Sequence, residues 1–198
     1  MLSLKQQITK RGFDIISSFL GMVICLVPIL ILILLASIST RQYGLFKQKR
    51  VGLYARSFTM FKIRTMKSPY DEDFITLKDD ARLTALGKML RKYHLDELPQ
   101  LFNVLIGDMS LVGPRPDVKG YADLLQGDDR IILSIRPGIT GPATLKFKNE
   151  DLLLSQEPDP KKYNDTVIWQ EKVRINKEYI KNWTFLGDLN FIFKTIFT

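Results

Sequence analysis

The chain has 198 residues, 45% of them hydrophobic and 25% charged, with a net charge of +8, one cysteine and one histidine. These values exclude a disordered polyelectrolyte, a disulfide-stapled miniprotein and a multi-histidine or thiolate metal centre. The length suits one ordinary domain, and the positive balance calls for an anionic partner: a nucleotide, a nucleic acid or an acidic membrane surface.

The first element is apolar. No charge falls between Asp14 and Arg41, and the interval "IISSFLGMVICLVPILILILLASIST" contains the lone Cys25, which suits a reduced, cytoplasm-facing environment. As one helix it is roughly 39 Å long at ~1.5 Å per residue, enough for a bilayer core of about 30 Å. The apolar part is too long for a usual signal peptide, and no clean small-x-small site ends it. Pro28 stands in its middle. Lys5, Lys10 and Arg11 precede it; Arg41, Lys47, Lys49, Arg50, Arg56, Lys62, Arg64 and Lys67 follow, with no acidic residue among them. Positive flanks favour the cytoplasmic side. A plain span satisfies one flank; a helix broken at Pro28 that dips in and returns satisfies both. The freed backbone groups then need partners, and Ser17 and Ser18 are candidates only at the entry.

"SFTMFKIRTM" alternates as a strand with Lys62 and Arg64 on one face. Two such cations suit an anionic ligand, or simply a charged edge strand. The acidic, polar stretch from Ser68 to Asp80 reads as a mobile loop. "ARLTALGKMLRKYH" reads as a helix with Leu83, Leu86, Met89 and Leu90 on one face and Gly87 as a weak point.

"RKYHLDELPQLFNVLIGDMSLVGPRP" follows. Asp96 fits the N-cap of a helix whose buried face is Leu98, Leu101, Phe102 and Leu105, with Pro99 in its first turn. Capping alone is worth about 1 kcal/mol. The same position also suits a reactive carboxylate, since helix N-terminal amides favour an anion and attract phosphate. Asp96 is then a candidate nucleophile, and Glu97 a candidate ligand for a divalent cation. "GDMSLVGPRP" and "IRPGITGPA" read as Gly/Pro-stiffened loops, carrying Arg115 and Arg136 as candidate phosphate contacts. A polar loop around Pro158 and Pro160 leads to a helix over about 168–182. The aromatic tail from Trp183 to Phe197 fits either core or a helix lying in the membrane interface.

Together, "KRGFDIISS" with the Pro28-containing run, "FKIRTM", the central stretch just quoted, "RPGITG" and "EYIKN" resemble the small bacterial sugar transferases, which are monotopic phosphoglycosyl transferases acting on polyprenol phosphate. The matches cover nearly the whole chain in order. The resemblance implies a re-entrant membrane hairpin over residues 1–40 and a cytoplasmic catalytic domain with interfacial amphipathic helices over 41–198. The fold class expected is α+β and helix-rich, on the cytoplasmic face of the bacterial inner membrane. The implied activity is transfer of sugar-1-phosphate from a UDP-sugar to undecaprenyl phosphate with release of UMP, the first membrane step of a surface glycan. Magnesium is the implied cofactor, with inner-membrane lipids as partners and a homo-oligomer left open. The family's catalytic dyad falls on Asp96, the implied nucleophile, and Glu97, the implied metal holder. Its basic positions fall on Lys62, Arg91 and Arg115, with Arg64 and Arg136 as further candidates.

Two positions depart from the family pattern. Val27 stands where many relatives have serine before the membrane proline, and Asn176 where they often have aspartate. Residues 146–165 also differ from many relatives and are a candidate loop for choosing the sugar. The competing reading is a non-catalytic membrane module that binds anionic lipid or nucleotide. It leaves the adjacent carboxylates unexplained, because they weaken anion binding. Nucleic-acid binding is disfavoured, since the cations cluster beside the apolar run and no nucleic-acid motif is present. Neither a G-x-G-x-x-G nor a Walker pattern occurs.

Overall fold

In the computed structural model the residues described are 2–67 and 80–197. The loop expected over Ser68–Asp80 therefore lies, except for Asp80, outside them. The first element, α1 (Leu4–Thr40), is 37 residues or about 55 Å long. Ser3 starts it with a reciprocal cap: its hydroxyl accepts from the Gln6 amide, and the Gln6 side chain accepts from the Ser3 amide. Pro28 lies inside the helix and does not divide it into the two helices expected. Proline withholds a single N–H, and the rest of the ladder carries the helix through.

Polar groups pin the first third of α1 to the globular body. Lys10 Nζ donates to Asp188 Oδ2 at 2.6 Å, and Asp188 also accepts from Tyr179 Oη and Trp183 Nε1. Arg11 donates to the carbonyls of Val104 and Leu105, and Asp14 Oδ1 accepts from the Leu111 amide. The far end is pinned too. Ser37 Oγ accepts from the Gly44 amide at 2.8 Å, and Ala36 is buried with Ile63 and Leu90. Between the two ends, one long face stays bare, including Phe19, Leu20, Val23, Val27, Leu30 and Leu34. Among the described residues this is the one helix long and apolar enough to cross a membrane.

β1 (Leu45–Val51) and β2 (Ser57–Ile63) form an antiparallel hairpin in register from Leu45 opposite Ile63 to Val51 opposite Ser57. The strand stops at Ile63, one residue short of Arg64. α2 (Ala85–Lys92) starts later than its composition suggests, because Thr84 caps it: its Oγ1 accepts from the Gly87 amide at 2.9 Å. Gly87 is not a mere weak point. A Cβ there would stand 2.1 Å from the Thr65 carbonyl oxygen, so glycine lets α2 lie against the chain leaving β2.

α3 (Gln100–Ile106) follows a 3-10 turn, Leu95–Glu97, and ends at Gly107 in the left-handed region with φ 98°. Its buried residues are Gln100, Asn103 and Val104, while Phe102 is exposed and Leu98, Leu101 and Leu105 are half-buried. Expecting a wholly apolar face here overlooked the edge of β2. Asn103 accepts from the Phe61 amide and donates to the Thr59 carbonyl, so its side chain pairs that edge as a neighbouring strand would.

The two Gly/Pro stretches are more than stiff loops. β3 (Ser110–Val112) and β4 (Gly138–Thr140) pair in parallel. A Cβ on Gly138 would lie 2.1 Å from the Gly113 nitrogen, so close backbone approach explains these glycines better than turn chemistry does. The expected polar loop over 146–165 is largely helical: α4 (Pro142–Lys146), α5 (Glu150–Ser155), α6 (Pro160–Tyr163) and a π-helical turn, Asn164–Ile168. α7 (Trp169–Lys181) matches the helix read from sequence. α8 (Phe185–Phe197) is both core and surface: Phe185, Phe191 and Ile192 pack on the main core, and Leu186, Phe193, Ile196 and Phe197 are exposed. That core gathers Val51, Val112, Ile132, Leu133, Val173 and Ile180, and a second cluster of Phe58, Met60, Val104 and Met109 seals the hairpin on α3. The architecture is helix-rich α+β.

Asp188→Ala leaves Lys10, Tyr179 and Trp183 without their shared acceptor at a site 2% exposed. Removing one member of such a buried pair costs about 3–5 kcal/mol. Thermal melting and limited proteolysis of the detergent-held variant are expected to show this as a lowered Tm and early cleavage near α1.

Candidate active site

Asp96 and Glu97 do not begin a regular α-helix. After α2 the chain turns sharply at His94, whose φ of 53° is left-handed, and enters the 3-10 turn. The Asp96 side chain caps nothing, unlike the N-cap expected. Both carboxylates are carried inward, to 6% and 8% exposure.

Their surroundings differ. Glu97 Oε1 accepts from Lys62 Nζ at 2.9 Å and from an Arg115 guanidinium nitrogen at 2.8 Å. One oxygen thus ties together β2, the 3-10 turn and the segment after β3. Burial pushes the Glu97 carboxyl up, but Arg115 and Lys62 more than reverse this and hold it well below the usual carboxylate range. Asp96 has no hydrogen-bonded or ion-paired partner among the described residues. Burial raises its carboxyl and the Glu97 charge raises it further; Lys62, Arg91 and Arg115 pull the other way without cancelling the rise. Burial also lowers the Lys62 ammonium, although Glu97 beside it favours its charge.

The structure divides the basic candidates between the dyad and other parts of the fold. Arg115, with its side chain 44% exposed, joins Glu97 to the open side of the site. Arg91 faces Asp96 electrostatically and is steadied by Thr65, whose Oγ1 accepts from Arg91 Nε at 3.1 Å. Arg64 is directed elsewhere: Nε donates to the Tyr43 carbonyl and the guanidinium lies over the Phe46 ring. Arg136 is used at the opposite end of α3, where Nε donates to the Gly107 carbonyl at 2.7 Å. α3 has seven residues, about 10 Å of axis, so this contact stands away from the dyad. An arginine in a Gly/Pro loop matches a phosphate contact and a helix C-terminal cap equally well in sequence. Asn103 and Thr65, which fix the site's walls, carried no signal of their own in the sequence.

The donor set can accept a divalent cation in one manner. No group of three or more His, Cys, Asp or Glu side chains that could hold a metal occurs among the described residues. Two adjacent carboxylates with one engaged Glu97 oxygen do fit an ion that arrives with a diphosphate, since magnesium commonly takes one or two carboxylates plus phosphate oxygens. Chemically, the site combines an unpaired carboxylate with three cations: a nucleophile beside a receptor for phosphate oxygens.

Comparison with known proteins gives the family. Residues 5–198 match the family model described as bacterial sugar transferase. The chain is 35% identical over 191 residues to the uncharacterized sugar transferase EpsL of Bacillus subtilis, covering 96% of this chain and 86% of that protein. It is 33% identical over 204 residues to the undecaprenyl-phosphate galactose phosphotransferase of Salmonella typhimurium, covering 94% of this chain and 39% of the relative. It is 35% identical over 205 residues to the undecaprenyl-phosphate glucose phosphotransferase of Komagataeibacter xylinus, covering 98% and 36%.

The two carboxylates are expected to act on stability with opposite signs. A raised folded-state Asp96 penalises folding once the unfolded chain ionises, so Asp96→Asn raises Tm at pH 7, and the gain vanishes below the ordinary Asp value of 3.8. A depressed Glu97 stabilises fully above its ordinary 4.5, so Glu97→Gln lowers Tm at pH 7 and the deficit begins to shrink once the pH falls below 4.5 toward the depressed folded-state value. Melting curves from pH 3 to pH 8 check both.

Proposed function

Because the chain belongs to the bacterial sugar transferase family, we propose that it transfers sugar-1-phosphate from a UDP-sugar to undecaprenyl phosphate, releasing UMP and beginning a surface glycan. The observation that carries this reading is the unequal pair: Glu97 neutralised by Lys62 and Arg115, Asp96 beside it with no partner.

An Asp96 oxygen attacks the β-phosphorus of the donor. The bond from that phosphorus to the bridging oxygen breaks, and UMP leaves with the electron pair. A covalent phosphosugar remains on Asp96. An oxygen of the lipid phosphate then attacks the same phosphorus and frees the carboxylate, giving a lipid-linked diphosphate sugar. Two displacements replace direct attack of one anion on another. Lys62, Arg91 and Arg115 receive the charge on the phosphate oxygens, and where these groups are largely buried, as Lys62 is, such contacts are worth more than at the open surface. Glu97, with Asp96 nearby, would hold magnesium, which supplies further charge neutralisation of the diphosphate when bound. Arg64 and Arg136, committed to carbonyls elsewhere, do not act in this scheme.

The membrane arrangement follows from α1. Both of its ends are bound to the one globular body, while its middle presents bare apolar side chains. This supports a monotopic placement: α1 enters the inner membrane from the cytoplasmic side and both ends stay on that side, with any bend at Pro28 short of a break. Its basic flanks support the same orientation. The exposed Leu186, Phe193, Ile196 and Phe197 of α8 suit the interface beside it. Residues 1–40 then form the membrane element and 41–198 the catalytic domain, with Asp96 where a lipid phosphate and a soluble nucleotide meet.

Asp96→Asn is expected to lower UMP release by at least about a thousandfold while the variant still partitions with membranes. Wild type quenched during turnover with a radiolabelled UDP-sugar should carry label on the peptide containing Asp96. Retained turnover in the variant refutes the assignment. Because burial raises Asp96, the acid limb of kcat/KM should lie above the ordinary 3.8, with activity lost as pH falls through it.

A further inference from the structure

A second polar cluster adjoins Arg115 and has no part in the chemistry above. Residues opposite each other in the β1–β2 hairpin share a face. The register puts Phe46 with Lys62, Gln48 with Met60, and Arg50 with Phe58. Lys62 at one end of this face holds Glu97. Arg50, four residues along and roughly 13 Å away, holds the segment just after Arg115: its NH1 donates to the Pro116 carbonyl, and the Val51 amide donates to the Asp117 carbonyl. Gln48 lies between them. Its Oε1 accepts twice from Arg50, yet its Nε2, shut off from solvent, has no partner.

The half-buried Asp117 closes this cluster. Its carboxylate makes no hydrogen bond among the described residues. It interacts with Lys172, Arg50 and Arg115 as cations and with Glu150 as an anion, and Glu150 is itself clamped by Lys172 at 2.6 Å. Burial pushes the Asp117 carboxyl up to about 6, the cations pulling it partly back, so it is mainly ionised at neutral pH.

Such a group is out of place in a receptor for phosphate, which offers only acceptors. Arg50 donates to Gln48 and faces Asp117 electrostatically, so a carboxylate acceptor and a spare amide donor are grouped around one guanidinium, a pair that suits a hydroxyl, which both donates and accepts. We infer that Asp117 and Gln48 form the subsite for hydroxyl groups of the sugar nucleotide, with Arg50 and Lys172 as the counter-charges of Asp117. The proposal rests on the transferase reading. It makes Asp117 a specificity-determining residue, reached from the phosphate site through the two-residue step from Arg115. Hydroxyls of this kind occur on both the transferred sugar and the ribose.

The test uses the full chain in nanodiscs with undecaprenyl phosphate. UMP release is measured with UDP-sugars differing in the configuration of one hydroxyl, and UDP, which has ribose but no sugar, is the competitor. Asp117→Asn is expected to raise KM for the preferred UDP-sugar at least tenfold, with the loss of kcat/KM carried by KM. Gln48→Met should shift KM in the same direction, and it decides the matter if Asp117→Asn does not fold. A UDP inhibition constant within twofold of wild type, with discrimination between epimers flattened, assigns the subsite to the sugar. A tenfold weaker one assigns it to ribose. KM values and UDP inhibition all within twofold of wild type, or a loss wholly in kcat, overturn the proposal. If wild type releases no UMP from any UDP-sugar, the transferase reading fails by itself. Direct binding of the same nucleotides then tests the subsite, and equal affinity for wild type and Asp117→Asn overturns it.

Discussion

One carboxylate oxygen organises this molecule's chemistry. Glu97 Oε1 takes a hydrogen bond from Lys62 on β2 and another from Arg115 beyond β3. A buried charge with two such partners is stable; a second buried charge next to it, deprived of them, is not. Asp96 is that second charge. The cost of keeping it unpaired is met by the surrounding packing: α2 seated on the chain at Thr65, Asn103 closing the edge of β2, and the hairpin sealed on α3 by Phe58, Met60, Val104 and Met109. The scaffold is what prevents Lys62 and Arg115 from satisfying Asp96 instead. A buried carboxylate left without a partner is therefore a local loss of stability maintained by distant gains.

The same division of labour governs α1. Its bare face cannot be held by water-soluble packing, so its position depends on polar anchors at both ends. Lys10, Arg11 and Asp14 attach it to α8, α3 and β3, while Ser37 and Ala36 attach it to the hairpin and α2. Gly21 brings the helix close to Leu101 in between, where a Cβ would sit 3.2 Å from that side chain. Because α3 follows directly from the dyad's turn, the long apolar helix and the paired carboxylates share one support.

Much of this was legible in the sequence. The apolar run, α7 and β2 follow from periodicity and charge, whereas Lys62 and Arg115 are picked out by the family resemblance and only the structure shows both of them on Glu97. What was not legible depends on contacts between distant segments. The β3–β4 pair is three residues a side, too short for a periodic signal, and its glycines mimic turn residues. The helices over 142–163 are short and interrupted by proline, so local composition reads as loop. Arg136 looked like a phosphate ligand because a cation that caps carbonyls and one that binds phosphate have the same local pattern. Asp96 looked like a helix cap because its neighbours are helical, whereas the left-handed His94 takes the cap position two residues earlier and the Asp96 carboxylate is carried inward.

The Lys10–Asp188 contact also imposes an order on biosynthesis. The two residues are 178 positions apart. At about 5–20 residues per second, roughly nine to thirty-six seconds separate their emergence from the ribosome. During that interval the apolar helix is already complete, but the ammonium near its start has no counter-charge. Until Asp188 on α8 has been made, Lys10 lacks the acceptor that fixes it, so the start of α1 docks on the globular body only after the tail is in place.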